Sequence, residues 1–183
     1  MRTSGSMGPV NRPTDLTVRP CVEADLSTIV GLRDAAARWQ LGRGIRQWTV
    51  GEVTIADLRS QVAEGLLFTA VRGDAVVGSV RLQWTDPQIW GEDPENCAGY
   101  LHGLITDRSG TGIGAGLIRW VEEQILAVGR TRCRLDCVAS NPALRAYYRA
   151  RGYQDRGEFR PTQQGWQPLQ RFEKELTVEH RSS

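Results

Sequence analysis

From Glu23 to Trp39 apolar residues recur at intervals of three and four, with Leu26, Ile29, Val30 and Ala37 on one side. That spacing predicts a helix with one buried face, and Glu23 and Asp25 in its first turn suit the helix dipole. Before it, Leu16 to Arg19 reads as a short strand stopped by Pro20. After the loop LGRGIRQW, Ile55 to Ala63 reads as a second helix ended by Gly65. Leu66 to Val71 and Ala75 to Trp84, separated by Arg-Gly-Asp, predict an antiparallel hairpin. A polar loop, TDPQIWGEDPEN, leads to a strand over Ala98 to Thr106. A glycine-rich loop and a helix to about Val128 follow, then an alternating strand over Arg132 to Val138. Pro142 to Ala150 is a short helix closed by Gly152, and Asp155 to Phe159 with Leu169 to Leu176 predicts a last hairpin. The order is β-α-α-β-β-β-α-β-α-β-β. Its central strand–loop–helix–strand segment is a βαβ unit, so those two strands should be parallel within an otherwise antiparallel sheet. Helices must then cover both faces, giving a mixed α/β fold.

The chain has 183 residues, 40% hydrophobic and 24% charged, with net charge +2. This suits one domain over residues 15–176, and the charge is too small to imply nucleic acid or an anionic membrane as partner. No apolar run reaches the roughly 20 residues that span a bilayer. Residues 1–14 lack the apolar core of a signal peptide and read as a disordered leader or a vector-derived remnant, and residues 177–183 as a flexible tail. Cys21, Cys97, Cys133 and Cys137 form no C-x-x-C pair, so four reduced thiols in a cytoplasmic protein are expected.

The loop DRSGTGIGAGLIRW carries glycines at 110, 112, 114 and 116 before it becomes an ordinary helix. A tight turn with close helix packing would account for one or two of them. Gly110, Gly112 and Ala115 match the dinucleotide pattern G-x-G-x-x-G/A, and Asp136 lies about the right distance on. That fingerprint belongs after the first strand of a doubly wound sheet, however, and here it follows an antiparallel hairpin. A P-loop is excluded because no Gly-Lys-Ser/Thr follows. The remaining reading is a pyrophosphate cradle of another kind, built from backbone N–H groups that open into a helix N-terminus.

Two motifs in this order resemble the GNAT superfamily of acyl-CoA-dependent N-acyltransferases. The family's loop, Gln/Arg-x-x-Gly-x-Gly/Ala, is matched at Gly112-Ile113-Gly114, with Ser109 where Gln or Arg is usual and Arg108 one residue earlier. NPALRAYYRARGY resembles the family's Asn-x7-aromatic helix ending in Gly-Phe/Tyr: Asn141, Tyr148, Gly152 and Tyr153. The resemblance covers about residues 15–176. It implies a mostly antiparallel sheet with one splayed parallel pair, and acetyl-CoA or coenzyme A as the acyl donor. It also implies contacts to that cofactor from Leu104, Ile105, Thr106, Ser109, Gly110, Thr111, Gly112, Ile113, Gly114, Ala115 and Asn141. The Leu104 N–H would polarise the thioester carbonyl, with Gly103 a candidate bulge that opens the strand pair.

Tyr148, by the same resemblance, sits by the sulfur and protonates the leaving thiolate, or is a packing tyrosine. Helical spacing places Ala143, Tyr147 and Ala150 on the core side and Leu144 and Tyr148 on the neighbouring stripe toward the cleft. His102 is the candidate general base, with a reference pKa near 6.5 suited to the task, or a structural histidine. Tyr100 takes the place where many relatives have Glu. Asp136 and Glu92 are weaker candidate bases. Cys137 carries no His-partnered motif, so a covalent intermediate is not expected.

Acceptor selection falls to two loops offering Arg46 and Trp48, and Trp84, Trp90 and Glu92; aromatic walls with carboxylates suit a cationic amine. The six tryptophans are otherwise expected in the core, Trp120 above all. A small-molecule amine is the first choice of acceptor and a peptide or protein N-terminus the second. The donor is acyl-CoA or an acyl carrier protein, no metal is expected, and the state is monomer or homodimer. The alternative from another class is a non-catalytic acyl-CoA sensor.

Overall fold

The computed structural model describes residues 16–108, 110–163 and 165–177. The leader over 1–14, Ser109 of the glycine loop and most of the tail lie outside the described residues.

Seven strands form one sheet in the order β1-β2-β3-β4-β5-β7-β6. They are β1 Leu16–Pro20, β2 Leu67–Arg72, β3 Ala75–Gln83, β4 Ala98–Thr106, β5 Arg132–Val138, β6 Gln154–Phe159 and β7 Leu169–Glu175. The helices are α1 Leu26–Leu41, preceded by a 3-10 turn at Glu23–Asp25, α2 Ile55–Ala63, α3 Pro87–Trp90, α4 Ile113–Ala127 and α5 Pro142–Arg149. Every neighbouring pair is antiparallel except β4–β5, which is parallel as the βαβ reading requires. A single parallel pair is not a doubly wound sheet, so the dinucleotide fold is set aside.

Alternation along the strands divides the core in two. On one face Ala70, Val80, Leu82 and Leu101 join Leu117, Val121 and Ile125 of α4 and Tyr148 of α5. On the other, Leu67 and Ile105 join Leu26 and Ile29 of α1 and Leu58 of α2. Trp120 is only half-buried, its ring 4.6 Å from that of Phe68. Asp25 anchors the first helix: its carboxylate accepts bonds from Arg19 and from the Thr69 hydroxyl of β2. Residues 87–90 were expected in a polar loop. They form α3 because Asp86 accepts a hydrogen bond from the Ile89 N–H and Pro87 fills the first turn.

Two irregularities position the site. Register between β4 and β5 runs from Ala98↔Arg132 to Leu101↔Leu135 and then ends, although β5 stays paired with β7 to Val138. Beyond Leu101 the parallel strands splay. At the same point β4 carries an extra residue against β3, whose pairing jumps from Arg81↔His102 to Ser79↔Ile105. Gly103, at φ +57°, supplies the left-handed backbone of this bulge, as expected.

Candidate active site

The splay opens into two adjoining cavities. The smaller, of about 540 Å³, is lined by Leu104, Ile105 and Thr106 of β4, Gly110, Gly112, Ile113, Gly114 and Ala115 of the turn and α4, and Tyr147 and Tyr148. The larger, of about 1130 Å³, lies under α1, α2 and the α3 loop. His102, Gly103, Ile105 and Asp136 line both, so the cavities meet where the bulge and the splay coincide.

Three of the four glycines have local packing reasons. A Cβ at Gly110 would stand 2.5 Å from the Ile113 side chain, at Gly114 2.8 Å from the Tyr147 hydroxyl, and at Gly116 2.5 Å from Leu16. Close packing therefore explains three, not one or two. Gly112 is different. It is the N-cap of α4 at φ +76°, and no side chain caps the helix. A Cβ there would meet nothing within 4 Å, yet the residue lines the smaller cavity. The first N–H groups of α4 lack intrahelical partners and need an acceptor. This uncapped start beside Arg108 fits the pyrophosphate of coenzyme A.

Other expected cofactor contacts fall outside this lining. The Thr111 carbonyl accepts a bond from Arg72 instead. Asn141 is buried and caps α5, its Oδ1 accepting the Leu144 N–H at 3.0 Å. The face assignment on α5 is corrected as well. Ala143 and Ala150 are exposed, and Asn141 and Tyr148 form the buried stripe. Tyr148 is 4% exposed and packs against Tyr147, Tyr153 and Phe172. Its ring is both core and cavity wall, and burial raises its pKa well above the ordinary phenol value. Tyr147, expected in the core, is half-buried, with the Arg151 guanidinium 3.4 Å from its ring centre.

The acceptor-side expectations divide. Arg46 and Trp48 line the larger cavity. Trp84 does not; it packs beside Gly99 and under the Arg130 guanidinium. Trp90 meets Tyr100 edge-on, with Arg134 and Arg171 over its ring. Glu92 is exposed and outside both linings. These three came from the right loop, but α3 turns them away and brings Asp86 inward in their place. An Asp-Pro pair, the usual opening of a short helix, was the signal for it.

His102 stands between two carboxylates. Its Nε2 lies 3.3 Å from Asp86 Oδ2 and its Nδ1 3.6 Å from Asp136 Oδ2. Neither approach has hydrogen-bond geometry, and Asp86 Oδ2, His102 Nε2 and Asp136 Oδ2 are buried without a hydrogen-bond partner. Catalytic hydrogen bonds are commonly loose before substrates arrive. The three residues also have metal-ligand spacing, their ligand atoms within 4.8 Å of one another, but Arg81 already faces both carboxylates with a positive charge. Tyr100, at the family's glutamate position, is fully buried and accepts a bond from Arg134, which Glu173 pairs on its other side. Cys137 also lines the larger cavity, but burial pushes its thiol up to about 12, so it is no nucleophile near neutral pH.

Burial holds the Asp136 carboxyl above its ordinary value, opposed by His102. The folded state therefore binds this proton more tightly than the unfolded chain does. Its stability falls as pH rises from the ordinary carboxylate value, near 4, through the raised one. Asp136→Asn is expected to raise Tm at neutral pH, by about 2–4 °C per kcal/mol recovered in a chain this size. Its advantage over wild type should vanish below that window. Thermal denaturation at pH 4 and pH 7 checks this; an equal Tm at pH 7 would mean that the carboxylate is not strained by burial.

The chain matches the family model described as "Acetyltransferase (GNAT) family" over residues 34–153. It is 34% identical over 169 residues to the Bacillus subtilis (strain 168) protein described as "Uncharacterized N-acetyltransferase YesJ", covering 87% of this chain and 90% of that protein. A GNAT-family acetyltransferase structure from Listeria monocytogenes 4b F2365 superposes with TM-score 0.70 at 23% identity, covering 89% of this chain and 96% of that one. The PaiA N-acetyltransferase of Thermoplasma acidophilum, solved in complex with coenzyme A, superposes with TM-score 0.67 at 16% identity, covering 89% and 100%. Among the described residues no helix is long and apolar enough to cross a membrane. The splayed parallel pair, the bulge and the uncapped glycine turn thus agree with the family match: the chain belongs to the GNAT acetyltransferases, enzymes that take the acetyl group from acetyl-CoA.

Proposed function

We propose that this chain acetylates the primary amine of a small molecule by direct attack on the acetyl thioester. The observation that carries this reading is the meeting of the two cavities at His102, Gly103, Ile105 and Asp136. One cavity has the backbone N–H groups that suit a pyrophosphate. The other has the volume of a small-molecule site and presents carboxylates where an ammonium would arrive.

When bound, acetyl-CoA supplies the activated acyl group; the chain supplies position and proton handling. Beyond Leu101 the backbone of β4 has no strand partner on the β5 side, and Leu104 lies in this stretch as the donor toward a developing oxyanion. His102 takes the proton of the incoming amine at Nδ1 or Nε2. Asp86 and Asp136 flank the ring and orient it. Tyr148 offers its hydroxyl to the leaving sulfur. Its raised pKa suits a hydrogen-bond donor that stays protonated better than a fully dissociating acid.

Amine-dependent release of free thiol from acetyl-CoA tests the reading. Tyr148→Phe keeps the ring packed and removes the hydroxyl, so kcat should fall by about 10-fold or more with coenzyme A affinity unchanged. An unaltered kcat would remove Tyr148 from the reaction. Tight acetyl-CoA binding with no thiol release for any amine would favour the sensor instead.

A further inference from the structure

Arg81 projects from β3 directly opposite His102 on β4. Cross-strand partners in an antiparallel pair share a face, and both residues line the larger cavity. The guanidinium is half-buried, yet it has no hydrogen bond and no ion pair at salt-bridge distance among the described residues. Asp86 and Asp136 act on it only across a gap. The neighbouring Arg33 is engaged, bonded to Glu52 and stacked over Trp48. Two residues before Arg81, on the same face and in the same cavity wall, Ser79 is 1% exposed and its hydroxyl has no partner. A half-buried cation with its donors unused, beside a buried unpartnered hydroxyl, makes a place for a ligand that completes both. The ligand that does so is an oxyanion, which the planar guanidinium fork binds in bidentate fashion.

We infer that Arg81, with Ser79, forms a subsite for an acidic group on the acceptor, so that the substrate is an amino acid or aminophosphonate rather than a simple amine. The inference rests on the acetyltransferase reading above and deepens it. The amine faces Asp86, His102 and Asp136, and the acidic group faces Arg81. The register pairing of Arg81 with His102 puts the two ends of the substrate on adjacent strands, which demands a short spacing between amine and acid. Positive and negative ends of such a zwitterion each meet the opposite charge.

The test measures thiol release from acetyl-CoA with matched acceptor pairs: α-amino acids and aminoalkylphosphonates, each beside the amine lacking the acidic group. Wild type is expected to prefer the acid-bearing member of a pair. Arg81→Gln should lower kcat/KM for that member by about 10- to 100-fold more than for the acid-free amine, the range for losing charge-assisted hydrogen bonds. Arg81→Lys should recover part of the loss, and thermal denaturation confirms that both variants fold. Carboxylate and phosphonate arms separate the two acid classes. Equal use of acid-free amines by wild type, or an equal loss for both members in Arg81→Gln, would overturn the subsite while leaving the acetyltransferase reading intact. Absence of thiol release with every amine would overturn both.

Discussion

His102→Gln is expected to lower kcat by about 10²- to 10³-fold, within the range for losing a general base, while acetyl-CoA affinity stays the same. The ring lies at the junction of the two cavities, with a carboxylate within 3.6 Å of each nitrogen. Glutamine preserves polarity and approximate size but cannot accept and hold the proton. The acid limb of the pH–rate profile should flatten in the variant, because glutamine has no basic nitrogen to take up a proton. Steady-state kinetics across pH, with coenzyme A affinity measured separately, checks both parts. A variant with wild-type kcat and an identical profile would return His102 to a structural role, and Asp86 would then be the first residue to replace.

Gly112→Val should reduce coenzyme A affinity by 100-fold or more, an order-of-magnitude figure that combines two effects. Valine is disfavoured at φ +76°, so the turn that aims the α4 N–H groups shifts. Its side chain would also stand where nothing now lies within 4 Å, in the wall of the smaller cavity. Gly112→Asn separates the effects, since asparagine tolerates the left-handed region but still adds a side chain. Calorimetric titration should show wild type binding acetyl-CoA and coenzyme A, with NADH not bound. It should show both variants weakened, the asparagine variant with little loss of Tm. Undiminished affinity in Gly112→Val would mean that the pyrophosphate binds elsewhere.

The same glycine loop shows how far local pattern reaches. Its density marked a place where backbone comes close to something, and the turn is indeed there. Yet at 110, 114 and 116 the close neighbour is Ile113, Tyr147 or Leu16. Residues distant in sequence explain two of these three, so glycine count alone overstated the cradle, and of the glycines that line the cavity only Gly112 has no packing neighbour. The helix α5 teaches a similar lesson. Its periodicity located a helix with Asn141 as cap, but the choice of buried stripe was wrong, because Phe172 and Tyr153 come to it from later in the chain. Tyr147 and Tyr148 are adjacent, and nothing in the pattern NPALRAYYRARGY says which one meets the core.

Hydrophobic period, turn chemistry and capping residues by themselves determined every strand, every helix but α3, their order and the single parallel pair. These depend on neighbours a few residues away and on the handedness of the βαβ connection. They also singled out His102, Gly103 and the start of α4. Only the tertiary structure decided the company these residues keep. Asp86 and Asp136 reach His102 from two different elements, Arg81 reaches it from a third, and Trp84, Trp90 and Glu92 turn away. Charge pairing of this kind is set by distance in space, and a 3.3 Å approach between residues on separate strands and loops leaves no periodic trace along the chain.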